Sequence, residues 1–185
     1  MIDANALRKG VIFELDGDLY KVKDYHHNKT ARGGATIRIK AQNLRSGANI
    51  ERTFNSGERV QDVRLDYHKV QYLYTDGDFF FFMDNKTFEQ PSIGVDMVGD
   101  LAGYLIEGLE VKLTFYGNEP LDIELPSAVE LKIVEAEAAA RGDTATGVTK
   151  KVICETGLEV QVPGFVNLGD TIKVNTTDGS YLTRV

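Results

Sequence analysis

Arg32 lies in Asn28-Lys29-Thr30-Ala31-Arg32-Gly33-Gly34-Ala35, a glycine-backed loop between two strand-like segments. Gly33 and Gly34 can take positive φ without a Cβ clash, so the chain can reverse just after Arg32 and leave the guanidinium at the apex. A long cation lifted clear of its strands suits contact with an anionic partner, and it does not suit acid–base chemistry inside a cleft. The same stretch also fits an ordinary polar hairpin turn.

Charge weighs between the two readings. Residues 20–45 carry Lys21, Lys23, Lys29, Arg32, Arg38, Lys40 and Arg45 against Asp24 alone, a window of +6 in a chain of −7. A basic patch on an acidic body is an electrostatic footprint for a polyanion, held in one place while the rest of the surface repels it. Nonspecific affinity for nucleic acid comes from summed phosphate neutralisation, and here the sum has the wrong sign. The pattern therefore predicts docking of one end onto RNA. The alternative is that these cations form the solvated face of a strand pair.

Other candidate chemistry is sparse. Cys154 is the single cysteine, so it forms no internal disulfide and no thiolate cluster, and Val152-Ile153-Cys154 reads as a buried strand thiol. His26 and His27 are neighbours in a predicted strand and point to opposite faces, so they cannot chelate one metal together. His68 has no acidic or histidine partner at helical spacing. No Gly-x-Ser-x-Gly elbow, phosphate loop or dinucleotide fingerprint occurs in the 185 residues. The expectation is a protein that is not an enzyme and uses no metal or cofactor. An apolar run long enough to span a membrane is missing, and the N-terminus lacks the regions of a signal peptide, so a cytoplasmic location is expected.

The elements that would carry these residues are strands. Alternation marks Val11–Leu15, Leu19–Lys23, Thr36–Lys40 and Ile50–Phe54. Asp16-Gly17, Asp76-Gly77 and Asp178-Gly179 each separate strand-like runs and predict three hairpins. The run Phe79 to Phe82 could pass for a ligand-stacking platform, but core packing, with some faces covered by a neighbouring domain, is the preferred reading. One helix is expected from about Asp100 to Glu107, with Leu101, Tyr104 and Leu105 on one face, Asp100 as N-cap and Gly108 as the stop. Ala136–Ala140 reads as a strand end running into a connection. Boundaries near Arg64 and Ser127 divide the chain into 1–64, 65–127 and 128–185, sizes that fit small β-barrels.

Several stretches together carry a family resemblance. Arg32-Gly33-Gly34-Ala35, the run Glu51 to Glu58, Tyr72-Leu73-Tyr74 and Phe82-Met83-Asp84 resemble the first two domains of bacterial translation elongation factor P. Arg141-Gly142-Asp143-Thr144 resembles that family's third-domain loop. Glu155 to Pro163, then Gly169-Asp170, then Gly179 to Val185, is similar to its C-terminal motif. The resemblance covers essentially the whole chain.

The resemblance implies an all-β protein of three small barrels in an L-shape: an SH3/KOW-like first domain with the basic hairpin tip, then two OB-fold domains, imitating tRNA in outline and charge. It implies a monomeric cytoplasmic factor that binds the 70S ribosome, with its 23S and 16S rRNA and ribosomal proteins, between the peptidyl and exit sites. Its further partner is peptidyl-tRNA, including prolyl-tRNA, and its effect is relief of stalling at consecutive prolines. Arg32 matches the family's tip residue, which reaches toward the CCA end of the tRNA. Lys29, Thr30, Ala31, Gly33 and Gly34 form that tip, Gly142, Asp143 and Thr144 the loop that approaches the exit-site codon, and Tyr181 and Arg184 the end that faces the small subunit.

This chain also departs from the family's pattern. Many members carry a tip lysine after Pro-Gly, and that amine receives a lysine-derived extension. Here Arg32 follows Thr30-Ala31, and a guanidinium is a poor nucleophile for acylation. Members with a rhamnosylated arginine follow it with Asn-Ala-Ala, not Gly-Gly. Arg32 is therefore expected to be unmodified, or modified by another route. Two alternatives stay open: the elongation-factor-P-like paralogue, whose tip also reads Thr-Ala-Arg-Gly, and a general RNA-binding module or β-rich adaptor acting off the ribosome.

Overall fold

The computed structural model describes residues 1–28, 35–137 and 148–185. Apolar alternation becomes strand wherever the sequence shows it. In the first sheet the strands are β1 (Ile2–Asp3), β2 (Ile12–Leu15), β3 (Asp18–Asn28), β4 (Thr36–Asn43), β5 (Asn49–Asn55) and β6 (Arg59–Asp62), ordered β1-β6-β2-β3-β4-β5. Along β4, Ile37, Ile39 and Ala41 are buried while Arg38 and Lys40 are exposed, the period of two that one buried face demands. These residues close a core with Leu7, Phe13, Val22, Phe54 and Val60.

The second sheet holds β7 (Asp66–Thr75), β8 (Phe79–Asp84), β9 (Ser92–Gly94), β10 (Glu110–Tyr116) and β11 (Glu119–Glu124), ordered β11-β10-β7-β8-β9. The third holds β12 (Ala128–Ala136), β13 (Thr149–Cys154), β14 (Glu159–Pro163), β15 (Thr171–Asn175) and β16 (Tyr181–Arg184), ordered β14-β13-β12-β15-β16. By its internal contacts the chain forms two compact units, Met1–Tyr67 with Thr114–Asp122, and His68–Leu113 with Ile123–Val185.

All three Asp-Gly hairpins form, by two different means. Asp16 and Gly17 both take positive φ, +54° and +85°, and the pair Leu15↔Asp18 closes a two-residue turn directly over them. At the other two only the glycine is left-handed, and the aspartate works through its side chain. Asp76 Oδ1 accepts from the backbone N–H groups of Asp78 and Phe79 at 2.9 and 2.7 Å, and Asp178 Oδ1 accepts from Ser180 N–H at 2.9 Å.

Two expectations need correction. Helical structure begins earlier than Asp100 and is not one α-helix: Val95–Val98 forms α1, and Gly99–Tyr104 continues as a 3-10 helix. Gly99, at φ +54° and ψ −133°, breaks the α geometry between them, and Leu105 is already extended. Tyr104 is thus turned into the core of the third sheet, beside Val129, Leu131 and Ile172, rather than lying on a helix face with Leu101. The phenylalanine run, in turn, is only half core. Phe80 and Phe82 point inward, whereas Phe79 is 47% exposed and Phe81 stacks on Tyr74 with ring centres 4.8 Å apart. A strand sends successive side chains to opposite faces, so four aromatics in a row cannot all be buried by one sheet.

Cys154 is buried in the third core, and burial pushes its thiol up to about 11, with Glu155 adding to the shift. At neutral pH it therefore carries almost no thiolate.

Candidate nucleic-acid interface

β3 and β4 are the arms of the basic hairpin. Antiparallel pairing runs out to Asn28↔Thr36, with a bulge between Val22 and Asp24. The tip residues Lys29, Thr30, Ala31, Arg32, Gly33 and Gly34 lie outside the described residues, as do Gly142, Asp143 and Thr144.

The arms carry less free charge than the sequence window indicates, because carboxylates from elsewhere in the chain return to it. Asp122 hydrogen-bonds the Lys21 ammonium, and Glu51 on β5 pairs with Arg38. Glu119 takes Arg45 in a two-pronged contact, Oε1 at 3.3 Å from Nε and Oε2 at 3.2 Å from Nη2. Arg38–Glu51 and Arg45–Glu119 are exposed and add little to stability, so their main effect is to cancel charge, whereas Lys21–Asp122 is part-buried. Among the described residues of the window, Lys23 and Lys40 form no ion pair. His26 faces Asp24 at 3.3 Å, on the opposite strand face from His27, whose cross-strand neighbour is the buried Ile37.

At the other end of the chain, Tyr181 packs against the third core. Arg184 reaches Asp170 Oδ2 at 3.5 Å, and its guanidinium lies 5.7 Å from the centre of the Phe165 ring. Both residues therefore help hold β16 onto its own sheet.

Sequence reasoning missed a pair on the second sheet. His68 Nδ1–H donates to Asp84 Oδ2 at 2.5 Å, while Asp84 Oδ1 accepts from the N–H groups of Lys86 and Thr87 at 2.7 and 3.1 Å. The His68 bond, followed by the two backbone donors, holds the buried Asp84 carboxyl down at about 2. No helical spacing joins residues 68 and 84; only the β7–β8 pairing brings them together. Because the folded value lies below the unfolded value of about 4, the stability Asp84 contributes is present above that pH and is lost as pH falls toward about 2. Urea unfolding followed from pH 5 to pH 2 should show this loss in the wild type and a flatter profile in Asp84→Asn. Parallel profiles would remove Asp84 as its source.

The comparisons with known proteins agree with this architecture from end to end. The description "Elongation factor P (EF-P) KOW-like domain" matches residues 3–60, "Elongation factor P (EF-P) OB domain" residues 65–123, and "Elongation factor P, C-terminal" residues 129–184. The matched domains are those of an all-β translation factor. Elongation factor P of Moorella thermoacetica is 44% identical over 184 residues, covering 100% of both chains. The solved eukaryotic translation initiation factor 5A from Methanococcus jannaschii covers 68% of this chain and 90% of its own, at 21% identity and a TM-score of 0.51, a likeness of fold alone. The chain belongs to the elongation factor P family and is a translation elongation factor.

Proposed function

We propose that this factor binds the ribosome between the peptidyl and exit sites and speeds peptide bond formation where consecutive prolines stall it. Full-length similarity to elongation factor P is the observation that carries the reading. Proline is a constrained and poor reactant, so holding the CCA end of peptidyl-tRNA in a productive geometry removes part of the entropic barrier. Arg32 reaches toward that end, with Lys29, Thr30, Ala31, Gly33 and Gly34 shaping the tip. Gly142, Asp143 and Thr144 approach the exit-site codon, and Tyr181 and Arg184 face the small subunit. The factor works as a cytoplasmic monomer, with domains divided near Arg64 and Ser127, and performs no chemistry of its own. No helix among the described residues is long and apolar enough to cross a membrane.

Reconstituted translation of reporters with and without consecutive prolines tests the reading. Added factor should raise full-length product only from the proline reporter, and equal product with and without factor on both would refute it. Intact-mass measurement of protein from its native host reads the state of Arg32. A mass equal to the bare chain would exclude a stable adduct, and a heavier mass would point to modification by another route.

A further inference from the structure

We propose that the outer face of β7 and β8, where Tyr74, Phe79 and Phe81 stand beside Asp76, Asp78 and Asp96, is a docking surface for an arginine-bearing segment of a partner protein. Strand alternation makes the face. Phe80 and Phe82 are buried, so Phe79 and Phe81 point the other way. A bulge between Tyr72 and Tyr74 resets β7, so that Tyr74 pairs with Phe81 and stacks on it, ring centres 4.8 Å apart and planes 19° apart. Phe79 pairs with Gly94 on β9, where a Cβ would meet nothing within 4 Å, so the flank of the Phe79 ring is open. Tyr74 is 52% exposed and Phe79 47%. Adjoining rings left in water on a sheet face mark a binding surface more often than a structural one.

Carboxylates gather at one end of these rings. Asp76 and Asp78 belong to the turn that joins β7 to β8, and both are exposed. Asp78 O accepts from Val95 N–H at 3.0 Å, which fixes the start of α1 beside that turn and brings the exposed Asp96 with it. Asp76, Asp78 and Asp96 form no ion pair among the described residues. The backbone N–H of Phe79, then that of Asp78, holds the Asp76 carboxyl below its usual range, so it stays charged. Lys86 is the one cation between residues 71 and 100, and it lies in the connection after β8, at the far end of that strand from Phe79.

Charge selects the occupant. Residues 65–127 hold twelve aspartates and glutamates against three lysines, a net −9 with His68 neutral, in a chain of −7 overall. Bases could stack on such rings, but their phosphates would meet this field with the wrong sign. A second copy of the chain would bring the same negative charge to the face. A cationic protein segment meets both features at once. Arginine fits them better than lysine, because its flat guanidinium stacks on aromatic faces while its fork of N–H donors takes a carboxylate at the rim. None of these residues belongs to the tip, the third-domain loop or the C-terminal strand, so the inference stands apart from the ribosomal reading.

The test measures binding of fluorescent oligo-arginine and oligo-lysine peptides of equal length to the full-length factor. Oligo-arginine should bind more tightly, and Phe79→Ala should weaken it about five-fold, as loss of one stacked cation contact does. Asp78→Asn should weaken it more than Glu130→Gln, which removes an equal charge from an exposed site on β12. Aromatic NMR of the wild type gives a readout free of any folding defect. Oligo-arginine should shift the ring signals of Tyr74, Phe79 and Phe81 and leave those of Phe88, an exposed ring on the β8–β9 connection, in place. Equal affinity for the two peptides, equal losses in Asp78→Asn and Glu130→Gln, or equal shifts at Phe88 would overturn the surface. A short RNA hairpin that shifts the three rings where oligo-arginine does not would overturn it in favour of nucleic acid. Shifts of the same rings on raising protein concentration alone would overturn it in favour of a second copy.

Discussion

An Arg32→Ala protein is expected to relieve proline stalling about thirty-fold less well than wild type, because a charge-assisted hydrogen bond contributes about 2 kcal/mol and each 1.4 kcal/mol is a factor of ten. Arg32 is preceded by Ala31 and followed by two glycines, and its nearest acidic neighbours in sequence are Asp24 and Glu51. Of these, Asp24 faces His26 and Glu51 is held by Arg38. The melting temperature should not move if the guanidinium serves partner contact alone. Arg32→Lys sharpens the test. It keeps the charge and loses the planar fork, so intermediate activity is expected if the contact is two-pronged. Full activity of Arg32→Ala would leave the factor's role intact and remove the tip from it.

A larger structural effect is expected from Tyr104→Ala. Tyr104 is 9% exposed although its 3-10 helix belongs to the segment between β9 and β10, because the ring is buried among residues of the third sheet. Ile106, Leu109 and Leu158 pack around the same core, and Thr156 Oγ1 donates to Gly103 O at 2.6 Å. The ring thus fastens the second sheet to the third within one compact unit. Truncating a buried aromatic costs about 3–5 kcal/mol, and the lower end applies here because the hydroxyl edge stays near the surface beside Gly179. Thermal unfolding should shift down by more than ten degrees, at about 4 °C or more per kcal/mol for domains of this size. It should also split into two transitions as the second sheet loses its hold on the third. An unchanged midpoint would show that the apolar neighbours suffice without the ring.

How much of this was legible in the sequence differs by element, for physical reasons. β4 was legible because one buried face imposes a period of two, and Ile37, Ile39 and Ala41 print that period directly. The Asp-Gly turns were legible because positive φ restricts residue choice locally. The helix was misjudged because Leu101, Tyr104 and Leu105 have helical spacing, whereas Gly99 and the pull of a separate core on Tyr104 decide the backbone. Electrostatics was the least legible. Residues 20–45 look strongly basic, but Glu51, Glu119 and Asp122 come from other strands to cancel Arg38, Arg45 and Lys21. His68 and Asp84 meet for the same reason, through pairing that no local spacing encodes. Family resemblance supplied what residue types alone did not, a role for the glycine-backed loop.

Leu121 is fully buried with Ile12, Leu19 and Leu44, although more than a hundred residues separate it from Ile12 in the chain. During synthesis the first sheet can pair as soon as β6 emerges, but this apolar socket stays open until β11 is made. At about 5–20 residues per second that interval lasts about 3–12 seconds. The newborn factor therefore spends its first moments with a greasy seat exposed to every passing chaperone and nascent chain. A fragment ending at Arg64 would carry the same open seat permanently.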